Sequence, residues 1–140
     1  MLNRAQIIGN LGRDPEFRTT PSGVGVCTLS VATTRKWKSK DGTPGEETEW
    51  HRVTVWDRTS DGGQATSCNK YLVKGSKVYV EGRLKTTSYE KEGVKKYSTE
   101  IVSERVQFLD KKGDDPSVNA PDAPKSSAET PTVDYDEIPF

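Results

Sequence analysis

Apolar and polar side chains alternate in the segment from Thr48 to Asp57. The odd positions include His51, Val53 and Val55, whereas polar and aromatic residues occupy the even positions. Because successive side chains of a strand point to opposite faces, this period of two predicts a strand with one face toward a core. His51 is predicted to lie on the core-facing side.

Three further segments have the pattern of strands. Residues 24–36 are rich in Val and Thr and follow the turn signal Ser22-Gly23. Their apolar positions change from even to odd, which predicts a bulge or a sharp coil in mid-strand. Another strand is expected over roughly residues 95–109. In the segment that begins at residue 77, the apolar side consists of Val78, Val80 and Leu84.

One short helix is predicted between residues 64 and 73, where Ala65, Cys68 and Leu72 recur at helical spacing. Gly75 is its expected left-handed cap. The chain holds 32 Val, Ile and Thr against 12 Ala and Leu, which favours strands over a helical bundle. About five curved strands, one helix and no parallel crossover fit a small closed barrel such as the OB-fold, with an SH3-like barrel as the nearest alternative.

Charge divides the chain near residue 112. Residues 1–112 hold 20 Lys and Arg against 14 Asp and Glu, whereas residues 113–140 hold one Lys against seven acids and five of the eight prolines. We expect a basic domain over 1–112 and a disordered acidic tail over 113–140, which lacks the apolar surface needed to offset ordering entropy. The domain's own apolar content is low, so it is expected to bury further surface against a partner or against copies of itself.

Several classes of protein are disfavoured. Cys27 and Cys68 have no metal-binding spacing, and His51 is the single histidine, so neither a metal nor another cofactor is expected. No apolar run is long enough for a signal peptide or a membrane span, which predicts a cytoplasmic protein. A metal-dependent nuclease using Glu46, Glu47, Glu49 and His51 is a minor alternative, because a loop signature precedes the glutamates and His51 is on the apolar face.

Aromatic and basic residues are interleaved at two places. Arg35-Lys36-Trp37-Lys38-Ser39-Lys40 precedes the turn Asp41-Gly42, and the even positions of the 48–57 strand are Thr48, Trp50, Arg52, Thr54 and Trp56. Rings flanked by cations suit single-stranded nucleic acid, because bases stack on the rings and the cations contact phosphates. Tyr89, which follows Arg83 and Lys85, is a third candidate platform.

The chain resembles the bacterial single-stranded DNA-binding protein family over nearly all of residues 3–109 and again at the last seven residues. The most specific segments are residues 9–16 (Gly-Asn-Leu-Gly-Arg-Asp-Pro-Glu), 48–53 and 74–82. The resemblance implies an OB-fold, a five-stranded Greek-key barrel with one short helix, that forms a homotetramer. It further implies wrapping of single-stranded DNA without sequence preference in replication, recombination and repair, near the nucleoid.

Individual residues match positions of that family. The resemblance implies base stacking on Trp37, Trp50, Trp56 and Tyr89. Phosphate contacts are expected, from the resemblance or from the basic segments themselves, at Arg4, Arg18, Arg35, Lys36, Lys38, Lys40, Arg52, Arg58, Lys74, Arg83 and Lys85. His51 is expected either near a subunit contact or as a satisfied core histidine.

The chain ends in a short acidic and apolar peptide, residues 134–140, after an expected linker over 113–133. Its candidate binding residues are Asp134, Asp136, Glu137, Ile138, Pro139 and Phe140. An apolar pocket with a basic rim could take such a peptide, and the resemblance implies docking on replication and repair proteins. Since base stacking tolerates ribose and deoxyribose alike, an RNA-binding module of the same fold stays open.

Overall fold

The computed structural model describes residues 1–110. The predicted linker 113–133 and the predicted partner-binding peptide 134–140 lie outside the described residues. The elements are the strands β1 (Ala5–Leu11), β2 (Glu16–Thr19), β3 (Gly25–Lys38), β4 (Pro44–Trp56), β5 (Lys77–Lys91) and β6 (Val94–Phe108), and the helix α1 (Gln64–Tyr71). No helix within this part of the chain is long and apolar enough to cross a membrane.

Five long strands close into a barrel. The strand order is β1-β5-β6-β4-β3-β2, and an additional pairing of β1 with β3 joins the two sides. Close approach at the closure requires Gly9, because a β-carbon there would overlap the carbonyl oxygen of Ala32. The predicted OB-fold barrel with one short helix is confirmed, and β2, which the sequence did not predict, is a short strand added beside β3.

The expectation of no parallel crossover is wrong at one place. β4 and β6 run parallel and pair only at Val53 with Ile101 and at Thr54 with Val102. Beyond these two pairs, each strand continues into its own hairpin: β4 with β3, and β6 with β5. The barrel therefore carries two long β-hairpin arms, the β3–β4 arm and the β5–β6 arm.

The core lies inside the barrel and beneath the helix. Its largest fully buried side chains include Leu29, Val53 and Val80. Helix α1 contributes Ala65 and Cys68 to the same cluster, and Leu72, the C-cap residue, joins them at the predicted spacing. These contacts fix the helix at one end of the barrel, beside the loop that follows β4.

Asp57 caps this helix from outside it. The N-cap residue is Gly63, which offers no side chain. Asp57 is 5% exposed, and it accepts hydrogen bonds from the Thr66 backbone N–H at 3.1 Å and from the Thr66 hydroxyl at 2.5 Å. A carboxylate is well placed against the unpaired N–H groups of a first helical turn. Asp57 thus joins the end of β4 to α1.

Three local predictions need correction. The prediction for β3 is a bulge or a sharp coil; β3 pairs with β4 without a shift, so the bulge is absent, and Val26 is buried because both sides of this segment are covered. A register shift instead occurs between Glu81 and Gly82 of β5. Beyond it β5 leaves the barrel, so Leu84 is 49% exposed rather than in the core. Gly75 has a φ of 93° but lies in a later turn, since the helix ends at an extended C-cap residue.

Candidate nucleic-acid interface

The strand β4 presents two exposed indole rings and a guanidinium on one side. Trp50 and Trp56 are 59% and 47% exposed, whereas the odd residues Val53 and Val55 are fully buried. Arg52 lies between the rings, on the same side, because alternate residues share a face at intervals of about 6–7 Å. The predicted separation of a core face from an aromatic face is thus confirmed, although Thr54 is buried on the aromatic side.

Strand register extends this side of β4 over its neighbours. Thr54 lies opposite Val102 of β6, and Val102 lies opposite Arg83 of β5. Since directly paired residues point to the same face of a sheet, Arg83 belongs to the same surface as Trp56. The surface, called the β4 face below, comprises Trp50, Arg52, Trp56, Arg18, Arg83, Lys85 and Tyr89.

Trp37 lies on the other side of the β3–β4 arm. It occupies an odd position of β3, whereas the β3 residues on the β4 face are even, as the hydrogen bond between the Thr34 and Thr48 hydroxyls shows. The ring is 40% exposed, and the guanidinium carbon of Arg35 lies 5.5 Å from its centroid. The structure therefore separates Trp37 from Trp50 and Trp56, although the three indoles belong to the same hairpin.

Two glycines support the exposed rings, and sequence reasoning missed both roles. A β-carbon on Gly12 would overlap the ring of Trp50, and one on Gly45 would overlap the ring of Trp37. Each indole thus lies against bare backbone, which limits the positions that the ring can adopt. The signal for such a contact is a tryptophan that lies next to a glycine of a neighbouring segment. This signal can be recognised only when the strand register is known.

Four of the candidate phosphate ligands are already paired with glutamates. Lys36 Nζ is 3.1 Å from Glu46, Arg52 Nε is 3.8 Å from Glu100, and Arg83 is 3.9 Å from Glu104. Arg4 pairs with Glu81 on the β1–β5 side of the barrel. The pairs of Lys36 and Arg83 are exposed on both sides, and exposed ion pairs contribute about 0–1 kcal/mol each, so a phosphate can replace the glutamate there at little cost. In the other two pairs the glutamate is mostly buried, with 18% of the Glu81 side chain and 22% of the Glu100 side chain exposed.

The remaining cations are distributed around these surfaces. Arg18 and Arg52 line one groove on the β4 face, and Arg58 lines a second groove with Trp56. Lys74 lies in the turn after α1, where its N–H donates to Asp14 at 2.8 Å. Lys38 ends β3, Lys40 follows in the hairpin turn, and Lys85 is exposed on β5.

His51 is only partly buried. Its Nε2 atom lies 2.8 Å from the hydroxyl oxygen of Thr33, so the ring has a hydrogen-bond partner. It also lines a groove between β4 and β6, together with Leu84 and Ile101. The imidazole is thus hydrogen-bonded within the chain and also borders a groove that contains apolar side chains.

The glutamates of the nuclease alternative are in a strand. Glu46 and Glu47 belong to β4 and lie opposite Lys36 and Arg35, so the predicted loop at this place is wrong. β4 begins at Pro44 because the arm extends beyond the barrel. Across residues 1–110, there is no group of three or more His, Cys, Asp or Glu residues placed to hold a metal ion.

Comparisons with known proteins find similarity over most of the chain. The model of the single-strand binding protein family matches residues 2–109. Single-stranded DNA-binding protein 1 of Xylella fastidiosa is 47% identical over 119 residues, which cover 84% of each chain. The namesake of Chlorobaculum tepidum is 46% identical over 110 residues, 77% of this chain and 65% of that one. The solved Plasmodium falciparum SSB complex with ssDNA superposes with a TM-score of 0.69 at 32% identity, covering 79% of this chain and 96% of that chain.

Proposed function

The chain belongs to the single-strand binding protein family, and from that premise we propose that it binds single-stranded DNA without sequence preference. One observation carries the proposal: Trp50 and Trp56 expose their rings on the same side of β4, with Arg52 between them. Every base has a face that can stack on an indole, whereas a duplex keeps those faces covered. The β4 face therefore suits unpaired bases.

Stacking is assigned to Trp37, Trp50, Trp56 and Tyr89, all of which are at least 40% exposed. Cations surround these rings, and we assign phosphate contacts to Arg4, Arg18, Arg35, Lys36, Lys38, Lys40, Arg52, Arg58, Lys74, Arg83 and Lys85. Because Trp37 lies on the opposite side of the β3–β4 arm from Trp50 and Trp56, the bound DNA passes from one side of the arm to the other. A path of this kind wraps the DNA around the protein.

The remaining functions form part of the same proposal. The protein acts as a binder in the nucleoid rather than as an enzyme, and residues 1–112 form the DNA-binding and oligomerisation domain. Copies assemble as a homotetramer, with His51 near a subunit contact. Residues 134–140, which follow the linker over 113–133, bind replication, recombination and repair proteins. An RNA-binding module is the alternative, and affinities for poly-dT and poly-U distinguish the two.

Alanine substitution of Trp50 and Trp56 tests the stacking surface. Oligo-dT should quench most of the tryptophan fluorescence of the wild-type protein, and each substitution should weaken binding by about 1–3 kcal/mol per lost stack. Tyr71→Ala is a matched control, because Tyr71 is 63% exposed but packs on Phe108 from the C-terminal end of helix α1. Its oligo-dT affinity should equal that of the wild type.

The result against the proposal is also clear. If Trp50→Ala and Trp56→Ala both keep wild-type affinity while circular dichroism shows an intact fold, the β4 face does not bind DNA. A titration at several salt concentrations adds a second criterion. The logarithm of the affinity should fall against the logarithm of salt with a slope of about −0.7 for each phosphate neutralised.

A further inference from the structure

A groove continues the β4 face beyond Trp56 toward helix α1. One wall is the loop after β4, which contributes Arg58, Gly62 and Gly63; the other wall is formed by β5 and β6, which contribute Arg83, Val102, Ser103 and Glu104. The exposed ring of Trp56 forms the end nearest to the rest of the face. Guanidinium groups thus come from two separate elements to one groove, next to a stacking ring.

The two acids of this groove differ in what they can do. Asp57 is 5% exposed and is directed to the helix, where the N–H and the hydroxyl of Thr66 bind it. The side chain of Glu104 is 61% exposed and lies 3.9 Å from Arg83. Only Glu104 is therefore free to move, and the anion that it offers to Arg83 can be replaced by another anion.

We propose that this groove holds one phosphate of the bound strand between Arg58 and Arg83, and that Glu104 competes with that phosphate for Arg83. The inference rests on the proposed binding of single-stranded DNA and deepens it. The base stacked on Trp56 has its neighbouring phosphate at the entrance of the groove, since Arg58 is only two residues along the chain. Glu104 then sets the affinity of this subsite by occupying Arg83 until the strand arrives.

Titration of the full-length protein with oligo-dT over a range of salt concentrations tests the competition. Glu104→Gln should tighten binding about two- to fivefold, as expected for release of an exposed ion pair. Arg83→Gln should weaken binding by a similar factor and make the salt slope shallower by about 0.7. In the Arg83→Gln background, Glu104→Gln should have no further effect, because the two changes act on one contact.

Glu90→Gln is the matched control for loss of a negative charge. Glu90 lies opposite Lys95 in the strand register, on the other side of the β5–β6 arm from Tyr89. Its substitution should change the affinity less than Glu104→Gln does, and the change should persist in the Arg83→Gln background. Equal effects of the two substitutions, or a Glu104→Gln effect that survives without Arg83, would overturn the competition.

Trp50→Ala separates this inference from the proposed function: if it weakens binding while the groove variants have no effect, DNA binding stands and the groove subsite does not.

Discussion

The indole ring of Trp50 lies directly against the backbone of Gly12. Gly12 follows β1, and its N–H donates to the Ser30 carbonyl oxygen at 3.0 Å, so the glycine is fixed to β3 next to the ring. A β-carbon at position 12 would overlap the ring atoms Cζ3 and Cη2. The orientation of the ring therefore depends on a residue that has no side chain.

Gly12→Ala is expected to displace the ring without unfolding the protein. Because Trp50 is 59% exposed, the ring can swing into solvent, and the free energy of unfolding should change by less than about 1 kcal/mol. Oligo-dT affinity should fall by an amount close to that of Trp50→Ala, about 1–3 kcal/mol. In the Trp50→Ala background, Gly12→Ala should not weaken binding further; an additive loss in the double variant would contradict this relationship.

The two buried thiols predict a loss of stability at high pH. Burial raises the pKa of Cys27 to about 11 and that of Cys68 to about 12. Above about pH 9 the thiols of the unfolded chain lose protons first, so the unfolded state binds fewer protons and the free energy of unfolding falls as the pH rises toward 11–12. Urea denaturation at a series of pH values measures this slope. The double variant Cys27→Ala with Cys68→Ala should have a shallower slope, and an identical slope would exclude the thiols as the cause.

The position of His51 bears on assembly. The ring is bound by Thr33 and lines the groove that contains Leu84, an apolar side chain left 49% exposed. His51→Tyr adds bulk at this surface and is expected to make the oligomer dissociate on dilution, while the monomers keep their strand signal. Light scattering at decreasing protein concentration measures the mass. An oligomer that persists at every dilution would show that His51 is not at the contact.

The sequence predicted the parts of the fold that follow from local pattern. Alternation in β4 separates Val53 and Val55 from Trp50 and Trp56, and the helical spacing of Cys68 and Leu72 identifies the face that packs on the core. In both elements the buried side chains recur with the period of the secondary structure, every second residue in the strand and every third or fourth in the helix. The composition, in which β-branched residues dominate, indicated a fold made of strands and so favoured a barrel.

The remaining features depend on long-range register. Leu84 has the alternation of a core residue, yet β5 leaves the barrel after the shift at Gly82. Trp37 lies on the strand that pairs with the strand of Trp50, but it projects from the other side of the β3–β4 arm. The pairing of Arg52 with Glu100 joins strands whose contact is a single short parallel ladder. None of these relationships has a signature in a local window of sequence.

The final tripeptide predicts a function separate from DNA binding. Three carboxylates precede Ile138, Pro139 and Phe140, and the whole segment 113–140 has one Lys against seven acids. This excess of negative charge should repel phosphates and be attracted to the basic domain, an effect that salt screens.

Deletion of residues 138–140 should leave oligo-dT affinity unchanged or make it slightly tighter at low salt. The same deletion should abolish capture of replication and repair proteins from a lysate of the source cell, because a partner pocket that seats the Phe140 ring would lose it. A solubilising tail would need its charge but not this ending, so an identical capture profile with and without the tripeptide would leave solubility as its only role.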